Sequence, residues 1–293
     1  MNSAIRNPRP VPAQPGSAIG STYEPRLRAA EASAPAPIEL GMSIGAIPLR
    51  LCFSDEGLLE EARRRYAAYL CTSNGGAAPV SIGPRSAAAE GADSARFEYR
   101  LHDALLTLLA RAITFEDVRS IYTLDSFLRV TLSVLLAERG GLLLHAATIE
   151  RGGRALVFSG KSGAGKSTIA SMAPPGSVLT DEISLLRFSG GVLYAWGTPF
   201  WGEFRAGDRA CRLPVAGIFG LEQGGADRAE RLPSARVPSA LLPNALCFFR
   251  QITLHQRLLA TVRDIALAVP VYRLHFRRDP AFWEVIDLWL NGN

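Results

Sequence analysis

Lysine is nearly missing from this chain. Of the 32 Lys+Arg residues in 293, only Lys161 and Lys166 are lysines, and all the others are arginines. Cysteine is also sparse. Cys52, Cys71, Cys211 and Cys247 form no C-x-x-C pair, which argues against a zinc site or a redox dithiol. Their apolar neighbours predict reduced, packed thiols in a cytoplasmic protein. The four histidines show no metal-ligand spacing. No apolar run approaches the ~20 residues that span a bilayer. The longest, near Leu142 and Ala266, are interrupted by His145 and Pro270, so no membrane span is expected. A charged-then-apolar targeting signal is not seen at the start. Dense basic runs are lacking too, although the net charge is +5 and the pI about 9.3. The longest, Arg63-Arg64-Arg65, lies in a helical pattern with Glu60 and Glu61 and reads as a solvated helix face. Nucleic acid is therefore not the leading partner.

What the chain does have is gathered around its two lysines. They lie in one glycine-rich loop, Ser159-Gly160-Lys161-Ser162-Gly163-Ala164-Gly165-Lys166-Ser167-Thr168. Gly160, Gly165, Lys166 and Ser167 satisfy the phosphate-loop pattern G-x-x-x-x-G-K-[ST]. Glycines at 160, 163 and 165 let successive amides turn toward an anion, and a following helix adds its positive end. A compact ammonium fits such a ring where a planar guanidinium would not. The pattern assigns Lys166 to the β- and γ-phosphates of ATP and the Ser167 hydroxyl to Mg²⁺. Lys161 occupies a variable position and either touches the γ-phosphate or is exposed.

The flanking sequence supplies the strand and helix this loop needs. Gly141 to Ile149 reads as a buried strand, Gly152-Gly153 as a turn, and Ala155 to Phe158 as a strand entering the loop. Ser167 to Met172 begins a helix, stopped by Pro174-Pro175. Val178 to Thr180 and Ile183 to Phe188 read as strands on either side of Asp181-Glu182, with Gly190-Gly191 turning into Val192 to Trp196. Ala216 to Glu222 and Val271 to Phe276 follow as strands, Pro238 to Arg263 as mostly helix, and Phe282 to Leu290 as a closing helix. Upstream, residues 1–38 are Ala/Pro/Ser/Gly-rich and read as a disordered tail. Residues 39–120 read as a small α+β lobe. In it Ile44 to Phe53 alternates as a strand, Ser54 caps a helix over Gly57 to Leu70, 72–95 is a loop, Phe97 to Leu109 is a short apolar stretch, and the helix Asp125 to Glu138 follows. The fold class is α/β, with residues 121–293 as the loop-bearing domain.

A nucleotide site needs a carboxylate for the metal. Asp181-Glu182 ends a strand beside the loop strand, where one acid can bind Mg²⁺ and the other accept a proton from an attacking hydroxyl. An ordinary acidic turn is the alternative. His145 is either a core histidine or a site residue level with the loop. His102, His255 and His275 read as structural or surface residues. Glu203 and Arg205, among Trp196, Phe200 and Trp201, suit a substrate-binding loop, and aromatic packing explains the same cluster. Arg273, Arg277 and Arg278 either support phosphate charge or lie on the surface.

Leu144-His145-Ala146, the loop, and Leu179-Thr180-Asp181-Glu182 together resemble the HPr serine kinase/phosphorylase family. The resemblance covers about residues 120–222 and is strongest to bacterial relatives found with peptide-modification systems, such as lasso-peptide precursor kinases. It implies a P-loop fold of the phosphoenolpyruvate-carboxykinase type: a mixed sheet flanked by helices. His145 falls on the family's histidine, with Ala146 in place of glycine. Asp181 falls on the acid that acts as base toward serine, and Glu182 on the metal-associated acid, commonly aspartate. The implied activity is an ATP- and Mg²⁺-dependent transferase phosphorylating serine on a protein or precursor peptide. A homo-oligomer is left open. A non-catalytic nucleotide-binding partner in a biosynthetic complex is the alternative. A small-molecule carboxykinase is disfavoured, since no lysine outside the loop remains for its second metal site.

Overall fold

The structure, a computed structural model, describes residues 38–72, 78–83, 95–101, 104–109, 113–200, 202–204 and 208–292. The tail reading (apart from Ile38), His102, Trp201 and Arg205 lie outside these residues. The described residues belong to one compact unit. It is a mixed α/β arrangement with a mixed multi-stranded sheet flanked by helices.

The first sheet contains β1 (Ile38–Ile44), β2 (Ile47–Phe53), β3 (Ala78–Gly83), β4 (Ala95–Leu101), β5 (Ala104–Leu109) and β6 (Ile113–Glu116), in the order β1-β2-β3-β6-β5-β4. The alternation from Ile44 belongs to the second arm of a hairpin that turns at Gly45-Ala46. Every second residue of β2 is buried, as a half-covered pleat requires. The expected loop at 72–95 contains β3, which pairs in parallel with β2 and β6. Helix α1 (Glu56–Arg65) is capped by Asp55, whose carboxylate accepts the Leu58 amide at 2.6 Å, and not by Ser54. It ends at Arg65, and a single 3-10 turn covers Ala67–Tyr69.

Helix α2 (Ile121–Glu138) starts at Ser120, whose hydroxyl accepts the Thr123 amide. Its apolar residues point to several sides, as in a helix covered all round. One polar group on it, Asp125, is held by distant partners. Asp125 is 4% exposed and accepts from Arg65 at 2.5 Å and from the Tyr66 hydroxyl at 2.7 Å. Burial first, and that carboxylate second, push the Tyr66 phenol well above its usual range. So Arg65 is no solvated member of its basic run, whereas Arg63 and Arg64 are exposed.

The second sheet is built from β7 (Gly141–Arg151), β8 (Arg154–Ser159), β9 (Val178–Thr180), β10 (Ile183–Ser189), β11 (Val192–Trp196), β12 (Arg212–Gln223), β13 (Arg228–Arg231) and β14 (Val271–Phe276). Its order is β11-β10-β7-β8-β12-β14-β13, with β9 on β7. Residues 215–220 of β12 pair with β8, while Arg212–Pro214 pair with β11. The path β11-β10-β7-β8-β12 thus returns on itself.

Helix α3 (Lys166–Ser171) follows the glycine loop. The helix expected over 238–263 is interrupted: α4 (Val237–Leu241) gives way to a 3-10 turn at Leu242–Asn244, and α5 (Ile252–Ala268) starts anew. The reason is tertiary. β8 pairs only with residues 146–151 of β7, leaving the ladder at Leu143–Leu144 free on that side. Ala245 and Leu246 fill it, the Leu246 amide donating to Leu143 at 2.9 Å. Helix α6 (Phe282–Gly292) closes the chain. It is tied to β7 by the Arg151–Asp287 ion pair and by Arg151 over the Trp283 ring.

One core joins the first sheet, α1, α2, β7 and β10. A second packs Phe158, Ile169, Phe219, Tyr272 and Trp283 behind the glycine loop. No disulfide joins the four cysteines, and Cys247 is exposed, which corrects the expectation that each is packed. Among the described residues no helix is long and apolar enough to cross a membrane.

Candidate functional site

The glycine loop leaves the end of β8 and turns into α3. Gly165 immediately precedes the helix at φ 110°, a backbone conformation that L side chains rarely adopt, and a Cβ there would strike the Phe276 ring. Lys166 is 7% exposed. Its ammonium donates to the carbonyls of Gly160 at 2.8 Å and Lys161 at 3.1 Å, so the cation is held inside the curve of the loop. Burial pushes this lysine below its usual range, and the charge of Glu182 acts in the opposite sense. Lys161, Ser162 and Gly163 are exposed, while Ala164, Gly165, Ser167 and Thr168 are half-buried. Beside the loop a cavity of about 990 Å³ opens toward β12, β14 and α4, with Leu232, Asn244 and Tyr272 in its lining. Its volume is at the upper end of the ~300–1,000 Å³ common for small-molecule sites.

Strand pairing carries the acids to this loop. Ala146 on β7 sits opposite Ser159, where the loop begins, and its amide donates to the Glu182 carbonyl at 3.0 Å. Asp181 and Glu182 join β9 to β10 one strand away from the loop strand. Asp181 is 4% exposed, and its two oxygens accept the amides of Gly202 at 3.0 Å and Phe204 at 2.7 Å. The residue at 202 must be small, because a Cβ there would come within 2.7 Å of the Asp181 carboxylate. Thr198 adds a bond to the Ile183 carbonyl at 2.8 Å. Thr198, Gly202 and Phe204 are therefore fastened at the acid pair.

Glu182 is half-buried and accepts from Arg129 of α2 at 3.0 Å. The same guanidinium lies over the Phe200 ring at 5.1 Å, and its Nε has no hydrogen-bond partner among the described residues. Sequence reading missed Arg129. The available signal was a lone basic residue between buried Leu128 and Val130.

His145 on β7 is half-buried, and its carbonyl accepts the Ser159 hydroxyl at 3.4 Å. Burial, then the charges of Lys166 and Arg129, lower its pKa below 6.5. A lowered pKa means that the unfolded chain binds more protons below pH 6.5. The corresponding stability is thus fully present above about pH 6.5 and declines as pH falls through the folded-state value. Thermal melts between pH 7.5 and about 5 should show this acid-side loss, and His145→Gln should flatten it.

Lys166, Glu182, Arg129, His145 and Asp181 thus surround one end of the second sheet. Glu203, between Gly202 and Phe204, is exposed, with no hydrogen bond among the described residues. Arg273 pairs with Glu222 at 3.0 Å and Arg277 with Asp227 at 2.7 Å, both near the surface. No group of three or more His, Cys, Asp or Glu that could hold a metal occurs among the described residues. The Ser167 hydroxyl and the Glu182 carboxylate remain as oxygen donors, a set that suits a hard ion keeping most of its waters.

Fold and site together define an α/β protein with a glycine loop between strand and helix, a buried ammonium and a nearby acid pair. The chain belongs to the family described as SynChlorMet cassette protein ScmC, whose model matches residues 114–291. That span runs from within β6 to α6 and includes Arg129, His145, Lys166, Asp181 and Glu182. No curated protein matches the chain.

Proposed function

We propose that the protein is an ATP- and Mg²⁺-dependent kinase that phosphorylates a serine hydroxyl on a protein or precursor peptide, built on a P-loop fold of the phosphoenolpyruvate-carboxykinase and HPr-kinase type. The observation that carries this reading is the buried Lys166 ammonium curled inside the loop with the Asp181-Glu182 pair one strand away. The loop amides and Lys166 hold the terminal phosphates, and the body of the nucleotide occupies the 990 Å³ cavity. Ser167 and Glu182 hold Mg²⁺, which when bound offsets charge on the transferred group. Asp181 has lone pairs left beyond its two backbone bonds and accepts the proton of the acceptor hydroxyl. Burial first, and then the charges of Lys166 and Arg129, favour neutral His145, so it can support that transfer without adding positive charge. Most of the rate comes from positioning and charge. The family's description as a cassette protein fits work beside the products of neighbouring genes.

Incubation with ATP, Mg²⁺ and a candidate precursor peptide, followed by mass spectrometry, tests the reading. A gain of one phosphoryl group per acceptor is expected. Asp181→Asn should lower turnover by about 10²–10⁴-fold, the usual share of a general base. It should also loosen Gly202 or Phe204, because one of their backbone amides would then face an amide NH₂. A variant as active as the unaltered protein would refute the base assignment. The engagement of both Asp181 oxygens by backbone amides favours one second reading, a nucleotide-binding partner without turnover. Nucleotide binding with no phosphoryl gain in any peptide, and unchanged in Asp181→Asn, would select it.

A further inference from the structure

A second cavity includes in its lining two groups that hold the acid pair. It has a volume of about 550 Å³ between α1 and α2, and its lining includes Glu61, Arg64, Arg65, Ser126, Arg129 and Gly202. None of its lining residues lines the larger cavity at the glycine loop. The two inner members are informative. Arg129 holds Glu182, and the Gly202 amide holds Asp181. By strand order β7 lies between the glycine-loop strand and the strands that carry the acid pair, and the two groups that hold the acids line the second cavity. Phosphoryl transfer places donor and acceptor oxygens roughly in line on opposite sides of the moving group.

We propose that the cavity between α1 and α2 receives the acceptor, and that the acceptor is a polypeptide segment with acidic side chains beside its hydroxyl. This rests on the kinase reading above. The lining carries three guanidiniums against two carboxylates. Arg65 is matched by Asp125, and Arg129 by Glu182. Arg64 is exposed and has no hydrogen bond or ion pair among the described residues. It is the lining cation open to a ligand carboxylate, and a guanidinium can form a two-pronged bond with one. Glu61, also in the lining, is the opposing charge, so its removal should help an acidic ligand. Tyr122, 77% exposed beside the opening, offers a flat face for a peptide backbone or ring.

The test uses the full chain without nucleotide and reads fluorescence anisotropy. The probes are a labelled peptide with one central serine between two pairs of glutamates, and its counterpart with lysines. The acidic probe should bind and the lysine probe should not. Arg64→Glu should weaken the acidic probe by about tenfold or more, the scale of one charge-assisted bond. Glu61→Gln should tighten it, and Ser126→Trp, which fills the cavity, should weaken it. A fluorescent ATP analogue should bind all three variants as it binds the unaltered protein, which also shows that they are folded. Equal binding of both probes, no binding of the acidic probe, or indifference to Arg64→Glu would overturn the proposal. Failure of the unaltered protein to bind the ATP analogue would overturn the kinase reading and the acceptor role with it, whatever the peptides do.

Discussion

Asp125→Ala is expected to lower the folding free energy by about 3–5 kcal/mol, the cost of breaking a buried ion pair from one side. The carboxylate serves two partners, one buried and one half-buried. Tyr66 has no exposed surface and gives its hydroxyl proton to Asp125, and Arg65 brings its guanidinium to the second oxygen. Alanine would leave the phenol and the cation without that acceptor, in a core that also contains Phe127 and Leu128. Asp125→Asn should cost less, about 1–3 kcal/mol, because its amide oxygen can still take one of the two bonds. Urea titration followed by tryptophan emission measures both, with unchanged m-values showing that the native state is the same. A loss well below about 1 kcal/mol for the alanine variant would mean that water replaces the carboxylate, and that this junction between α1 and α2 is wetter than its 4% exposure suggests.

Lys166→Ala carries the second large effect, on ligand affinity. Under the kinase reading the ammonium turns from the Gly160 and Lys161 carbonyls to the terminal phosphates. Charge-assisted hydrogen bonds of that kind are worth about 1.5–3 kcal/mol, so the alanine variant should bind an ATP analogue about ten- to a hundredfold more weakly. Lys166→Arg should not restore binding. The ammonium sits 2.8 and 3.1 Å from two carbonyls inside one turn of backbone, and a planar five-donor group does not fit there. In a chain otherwise supplied with arginine, that variant asks why lysine stands at this position. Isothermal titration of the three proteins with a non-hydrolysable analogue decides it, and equal affinity for all three would remove Lys166 from the site.

Much of the second sheet was legible in the sequence, because its signals are local. The apolar run from Gly141, the Gly152-Gly153 turn and the loop pattern each depend on neighbours in the chain. The same holds for Asp181-Glu182, whose flanking strands are short but unbroken. What was not legible depends on distant partners. Pro79 and its small neighbours look like loop, yet β3 forms because β2 supplies a parallel ladder from Ala78 and β6 one from Val80, just beyond the proline. The interruption between α4 and α5 answers free ladder groups on β7, about a hundred residues earlier. Arg129 and Asp125 have partners 53 and 60 positions away. No periodicity in α2 can reveal them.

Asp125 and Arg129 stand four residues apart, on one face of a single helix. One is anchored in the amino-terminal layer and the other grips an acid of the pair. The helix therefore ties the acid pair to residues that lie outside the glycine-loop half of the chain. Fraying at Arg65 or Tyr66 would be transmitted as slack in Glu182, so a fragment trimmed to begin at residue 114 would keep every residue of the acid pair and still lose their alignment.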